Sequence, residues 1–376
     1  MKLKCTQENL SKGLAVASKA VSVKSTLPVL GNFLLTAKTG VFKISASNLE
    51  TSISVVVNAS VEQDGEFSVP ARILSDFVSG LPLGVVEMVH EKNSMKVSNG
   101  GSSAEFNCMS AEDFPPIPIP KSGNKLFLNP REFNQAVLST FFCASVGDSR
   151  PALTGVLLKK EGADFVVAAT DGFRLSEFKP SLDELNADVA DFSLLIPAKM
   201  LAEVSRMFSA REEAITLTFS DSENLAVFEC AQTTVSLRLL DGEFPDYKRI
   251  IPTAHILTAH SKTEELVSAV KLTNVFAKES KEGNNLLKIE FKTKGECLVS
   301  SSSEQSGQSL TKIAMAIEGD NDVALSFNSK YLLDFFNNVK SEELAIFTNG
   351  EQSPCVFKPI EMANFLHLVM PVKLNS

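Results

Sequence analysis

Two clusters in this chain of 376 residues have side chains suited to acid–base or metal chemistry. Thr170-Asp171-Gly172-Phe173-Arg174 sets a carboxylate beside a hydroxyl and a guanidinium, and Asp241, Glu243 and Asp246 form a carboxylate group of the kind a metal-dependent nuclease uses. Against both stands the commoner use of Asp-Gly pairs as turns, and the 241–246 spacing alternates poorly for a shared ion. No nucleophile–base or His–carboxylate arrangement accompanies either cluster. The four histidines (90, 255, 260, 367) form no H-E-x-x-H, and no P-loop glycine pattern is present. Six cysteines (5, 108, 143, 230, 297, 355) stand far apart without a C-x-x-C pair, which excludes a disulfide framework or zinc finger and fits reduced, mostly buried thiols in a cytoplasm. The expectation is a chain with no catalytic residue, no metal and no cofactor.

A third group is cationic, and it repeats. Arg72, Lys199 and Lys330 stand 127 and 131 residues apart, each at the start of an amphipathic segment: Phe67–Leu81, Leu194–Phe208 and Leu325–Val339. Within these, Leu74/Phe77/Val78, Leu201/Val204/Phe208 and Leu332/Phe335/Phe336 keep the spacing of a helix with one buried face. A cation in a first helical turn sits at the positive end of the dipole, at a cost of about 0.3–1 kcal/mol. Its recurrence in three places points to a compensating partner, and phosphate is the natural one. Lys12 and Lys19, opposite the Leu10/Leu14 face, extend the same basic surface. The alternative is ordinary solvated charge.

The elements that carry these cations recur as well. Thr6, Asn129 and Ser261 read as N-caps, 123 and 132 residues apart, with Pro130 at a first helical position and Ser261-Lys-Thr-Glu264 as a capping box. Leu10/Leu14/Ala17/Val21, Phe133/Val137/Thr140 and Leu266/Val270/Thr273 mark the buried faces. Between helices the period is two, as in Phe42–Ala46, Ile53–Val57, Val235–Leu239 and Leu287–Lys292, with turns at Asp64-Gly65, Asn99-Gly100, Glu161-Gly162, Lys294-Gly295 and Asn349-Gly350. The predicted fold is α+β: three tandem similar domains, each two helices packed on antiparallel sheets, divided as 1–122, 123–252 and 253–376.

Composition adds limits. At 44% hydrophobic and 22% charged the chain can bury sizeable cores, and no apolar run approaches a membrane span or signal peptide. Net charge is −9 overall, and 0, −6 and −3 in the three thirds, so any polyanion must be met by a local basic surface.

The motifs Leu27-Pro-Val-Leu30, Val69-Pro-Ala-Arg72, Glu112-Asp-Phe-Pro115, Ala169-Thr-Asp-Gly-Phe-Arg-Leu175, Asp241-Gly-Glu-Phe-Pro-Asp-Tyr247 and Val369-Met-Pro-Val-Lys-Leu374 occur in order from end to end. In this the chain resembles the bacterial sliding-clamp family, the β subunits of DNA polymerase III. The resemblance implies a head-to-tail homodimer forming a six-domain ring with helices lining the hole, a cytoplasmic, non-catalytic processivity factor without 3'-5' exonuclease activity. It implies encircled, non-specific double-stranded DNA as partner, with Lys24 and Arg150 joining the basic residues above. It also implies a pocket for short peptides of the replicative polymerase α subunit, the clamp-loader δ subunit, other polymerases and repair proteins. Carried over by position, that pocket comprises Leu153, Thr170, Gly172, Phe173, Arg174, Leu175, Pro245, Arg249, Ile250, Val369, Met370, Pro371, Val372 and Leu374, with Arg174 and Arg249 at the rim. Phe173 and Lys373 depart from the family's common histidine and arginine. Phe106 would meet Val275 and Phe276 across the dimer seam. The rival readings are a protein-only repeat scaffold and a metal-dependent nuclease.

Overall fold

A computed structural model describes residues 1–22, 27–147, 149–278, 285–303 and 306–373. Among these, six α-helices occur: α1 Gln7–Ala17, α2 Ala71–Gly80, α3 Pro130–Leu138, α4 Ala198–Phe208, α5 Thr263–Ala277 and α6 Ser329–Asn338. Each buries the face its periodicity marks. Leu10 and Leu14, Leu74 and Val78, Phe133 and Val137, Leu201 and Val204, Leu266 and Val270, and Leu332 and Phe335 are all buried. Each such side chain contributes about 1.5–3 kcal/mol relative to exposure.

The caps explain where the helices begin. Thr6 Oγ1 accepts from Asn9 N at 3.3 Å, Asn129 Oδ1 from Arg131 N at 3.0 Å, and Asn328 Oδ1 from Lys330 N at 3.0 Å. The expected capping box at Ser261 does not form. The strand Leu257–Lys262 continues through Ser261, which is buried and bonds Lys262 O, so α5 starts two residues later with Lys262 at the cap position and no side-chain cap.

Contacts divide the chain into two compact units, so that the central third is shared: unit 1 is Met1–Arg131, Asp183–Val189 and Arg206–Leu239, and unit 2 is Glu132–Leu182, Ala190–Ser205 and Leu240–Ser376. Every strand pairing among the described residues is antiparallel, which the short turns between alternating strands require.

Unit 1 holds a five-stranded sheet ordered Ala59–Gln63, Lys2–Thr6, Val85–Glu91, Ser94–Asn99, Ser102–Asn107. Its second sheet has nine strands, ordered Met109–Ser110, Gly65–Pro70, Asn32–Lys38, Val41–Ser47, Thr51–Val57, Thr233–Arg238, Leu225–Cys230, Ile215–Ser220, Asn124–Leu128. Helix α1 lies so close on this sheet that a Cβ on Gly13 would stand 2.5 Å from Val57 Cγ2, which leaves glycine as the residue that fits. Gln7 Nε2 donates to Val78 O at 2.9 Å and ties α1 to α2.

Unit 2 repeats the plan. Its nine-stranded sheet runs Phe192–Pro197, Gly155–Glu161, Asp164–Thr170, Arg174–Phe178, Phe365–Val369, Cys355–Pro359, Glu343–Thr348, Leu257–Lys262, Ala316–Gly319. Its four-stranded sheet runs Gly307–Ala314, Glu296–Ser303, Leu286–Lys292, Val323–Asn328. Ser329 Oγ bonds Asn274 Oδ1 at 2.6 Å and ties α6 to α5, the counterpart of the Gln7 contact.

Candidate functional site

The repeated cations occupy equivalent places. Arg72, Lys199 and Lys330 are each the second residue of α2, α4 and α6, and all three are exposed. Arg72 makes one long contact, Nε to Asp76 Oδ2 at 3.8 Å, on a side chain 94% exposed, so its charge is available to a ligand. Lys12 on α1 and Lys19 in the 3-10 turn Ser18–Ala20 are also exposed, while Leu10 and Leu14 are buried, as their spacing requires. Lys24 lies outside the described residues.

Unit 2 contains a cavity of about 540 Å³ lined by Ser149, Arg150, Pro151, Ala152, Leu153, Thr170, Gly172, Asp241, Gly242, Glu243, Pro245, Asp246, Tyr247 and Ile250. It exists because the Pro151–Thr154 turn, the end of the strand Asp164–Thr170 and the segment 241–250 converge on one sheet end. Of the residues expected in a pocket, Leu153, Thr170, Gly172, Pro245 and Ile250 line it. Arg150, expected to face DNA, lines it too, its Nη1 3.7 Å from the place a Cβ of Gly172 would take. Sequence reasoning missed Pro151, Ala152 and Tyr247; the Asp241–Tyr247 motif was the signal for the last.

Two expectations need correction. Arg174 is not at the rim. It is buried, with Nε 3.0 Å from Asp171 Oδ2, Nη1 2.7 Å from Asp334 Oδ2, and its guanidinium carbon 4.6 Å from the Tyr331 ring centroid. Buried guanidinium needs such partners, and Asp334 lies 160 residues away in sequence, where no local pattern reveals it. Val369 and Leu175 are core strand residues, exposed at 0% each and paired within the nine-stranded sheet through Arg174↔Val369 and Leu175↔Leu368. Phe106 stands on the strand Ser102–Asn107 at a sheet edge, 6% exposed, with its ring edge-on to Phe77 at 5.7 Å.

The remaining expected residues are placed as follows. Phe173 is 57% exposed and stacks on Tyr331 at 6.4 Å between centroids. Arg249 is exposed and paired with Asp246 at 2.6 Å. Met370 is half-buried against the unit 2 core, its N donating to Phe173 O at 2.8 Å; Pro371 is buried, and Val372 N bonds Ser326 O at 2.7 Å. Leu374 lies outside the described residues, and Lys373 is exposed. On α5, Val275 is 62% exposed beside Leu272 at 58%, with Phe276 half-buried.

The acid–base reading of Asp171 gives way to a turn. Its Oδ1 accepts from Phe173 N (2.9 Å) and Arg174 N (3.0 Å), and Gly172 takes φ +92°, the left-handed region that glycine adopts without strain. Among the described residues no group of three or more His, Cys, Asp or Glu is placed to hold a metal ion. Burial pushes the Cys143 thiol up to about 12, so it stays protonated at neutral pH. No described helix is long and apolar enough to cross a membrane.

Three family models match in succession: DNA polymerase III beta subunit N-terminal domain over residues 1–118, central domain over 127–246 and C-terminal domain over 248–373. The chain is 28% identical over 393 residues to a beta sliding clamp of Synechocystis, covering 100% of both. It superposes on a DNA polymerase III beta subunit from Thermotoga maritima with TM-score 0.90 at 27% identity, and on a DNA polymerase sliding clamp from Bacillus subtilis with TM-score 0.93 at 25%, covering 100% of each chain. Matches in this order and over this length define a three-domain clamp fold, and the chain belongs to the DNA polymerase III beta subunit family, the sliding clamps.

Proposed function

We propose that two copies of this chain close head to tail into a ring around duplex DNA and serve as a non-catalytic, cytoplasmic processivity factor. The observation that carries this reading is the identical placement of Arg72, Lys199 and Lys330 at the second position of three equivalent helices, each exposed. With Lys12, Lys19 and Lys24 they offer a few phosphate contacts and no base readout. Each neutralised phosphate steepens the salt dependence by about 0.9, so a ring that slides needs few contacts and is held by its topology. Net charge −9 per chain keeps affinity low away from that basic surface.

The unit 2 cavity suits short peptides of polymerase, clamp loader and repair proteins: apolar Leu153, Pro151 and Ile250 for side chains, and Arg150 for a carboxylate or carbonyl, with Arg249 paired to the lining residue Asp246. Exposed Val275 and Leu272 on α5, and the unpaired edges Ser102–Asn107 and Gly307–Ala314, supply surfaces for the seam between chains. Domain limits of 1–122, 123–252 and 253–376 complete the proposal.

The test compares retention on circular and linear DNA. A clamp stays on the circle and runs off open ends; equal retention on both defeats the ring. Lys24→Glu, Arg72→Glu and Lys199→Glu together should shorten residence on primed circular DNA and leave the dimer intact. Deletion of residues 370–376 should abolish binding of polymerase-derived peptides, and retained affinity would remove the tail from the pocket.

A further inference from the structure

We propose that Arg174 is a positioning residue for the DNA surface: by holding Asp334 it keeps that carboxylate off Lys330, so that α6 presents an uncompensated ammonium to a phosphate. This rests on the reading of Arg72, Lys199 and Lys330 as phosphate contacts. An acid stands four residues after each of those cations, Asp76 on α2, Glu203 on α4 and Asp334 on α6. Residues at that spacing are neighbours on one helix face. Each acid is therefore placed to pair with its own helix's cation and to lower what that cation offers a polyanion.

Helices α2 and α6 resolve this differently. On α2 the pair forms, with Arg72 Nε 3.8 Å from Asp76 Oδ2 and both side chains open to solvent. On α6 it does not. Asp334 Oδ2 accepts from Arg174 Nη1 at 2.7 Å, and Lys330 makes no ion pair among the described residues. Three features give the carboxylate to Arg174. The Arg174 side chain is 7% exposed and that of Asp334 30%, so their charge-assisted bond is little screened. Asp171 Oδ2 fixes the other edge of the guanidinium, 3.0 Å from Nε. Tyr331, next to Lys330 in the chain, places its ring centroid 4.6 Å from the guanidinium carbon. A lysine competing for the same oxygen would do so at the surface, where an ion pair is worth little. The charge that α6 shows to solvent is thus set by a residue from a distant strand, whereas that of α2 is set within the helix.

The test titrates the full chain in its native assembly against a short fluorescent duplex and reads the slope of log affinity against log salt. Lys330→Gln should lower the slope by about 0.9, and Arg72→Gln by less, because Asp76 already offsets part of that charge. Asp76→Asn should raise the slope by freeing Arg72. Asp334→Asn, which keeps an oxygen for Arg174, should leave it at the wild-type value. Arg174→Met releases Asp334 to Lys330 and should lower the slope as far as Lys330→Gln does. Adding Asp334→Asn to Arg174→Met should restore it, which a general loss of stability would not do. If Arg174→Met fails to fold, the contrast between Asp76→Asn and Asp334→Asn decides. No response to Lys330→Gln would remove Lys330 from the DNA surface, and the proposal with it. A normal response to Lys330→Gln would leave the DNA reading standing and overturn the proposal if Asp334→Asn raises the slope as Asp76→Asn does, or if folded Arg174→Met leaves it unchanged.

Discussion

The strands Thr51–Val57 and Thr233–Arg238 in unit 1, and Arg174–Phe178 and Phe365–Val369 in unit 2, meet on the same plan: five antiparallel residue pairs inside a nine-stranded sheet. They differ in what they bury. The unit 1 seam places Ser52 opposite Ser236 and Ile53 opposite Val235, neutral groups throughout. The unit 2 seam buries Arg174, Glu177 and His367, exposed by 6%, 4% and 0%. Arg174 is held by two carboxylates, Glu177 Oε2 accepts from Tyr247 Oη at 2.6 Å, and His367 Nδ1 lies 2.8 Å from Ser176 Oγ. A backbone ladder is thus indifferent to the chemistry placed on it, but stability is not. Buried charge must be paired, and each pair makes the unit 2 seam sensitive to a change that its counterpart would tolerate.

The sharpest way to break the comparison is Arg174→Met. It leaves Asp171 and Asp334 without their cation, and the expected loss is about 3 kcal/mol, the size measured when one partner of a buried pair is removed. Hydrogen exchange should show protection falling across Phe365–Val369 and staying intact across Thr51–Val57. Equal losses in both strands would show that the two seams do not respond separately.

A smaller effect comes from pH. Burial, and then the nearby Arg174, hold the His367 imidazole well below its ordinary value of 6.5, so the folded chain keeps it neutral. The unfolded chain protonates as pH falls below about 6.5 and binds more protons than the folded one, so stability is lost on acidification. At pH 5.5 this amounts to about 1.4 kcal/mol relative to pH 8. His90 in unit 1 and His255 in unit 2 are lowered by partial burial too, so the diagnostic variant is His367→Phe. Urea unfolding at pH 8 and 5.5 should show a shallower pH dependence in the variant; an unchanged slope would separate His367 from the effect.

The smallest expected change sharpens the unit 1 side. Ser236 Oγ is buried without a hydrogen-bond partner among the described residues, so Ser236→Ala removes an uncompensated polar group. Stability measured by urea unfolding should move by no more than about 0.5 kcal/mol, toward greater stability. A loss above about 1 kcal/mol would show that the hydroxyl is bonded in solution.

Legibility in the sequence followed the range of the interaction. Helices α1 to α6 and their buried faces were readable because a repeat of 3.6 residues is written locally, and the alternating strands for the same reason. The Asp171 turn was readable from Asp-Gly. The Ser261 cap was misplaced because strand pairing of Leu257–Lys262 with Glu343–Thr348 outweighed a cap worth about 1 kcal/mol. Of the candidate pocket, the Leu153, Thr170, Gly172, Pro245 and Ile250 positions were found through family motifs rather than through spacing, since they converge from points as far apart in the chain as Leu153 and Ile250.

The faces of the helices and the recurrence of Arg72, Lys199 and Lys330 at the start of three similar segments are properties of the sequence alone, because each segment's pattern is written in residues within a few turns of one another and the repeat is a comparison of such local patterns. Only the tertiary structure decided that Arg174 is a buried anchor, and that a neutral seam in one unit corresponds to a charged one in the other. Those outcomes depend on which distant strand or helix arrives beside a residue, as Asp334 does at Arg174 and His367 at Ser176, and no local pattern encodes the partner's identity.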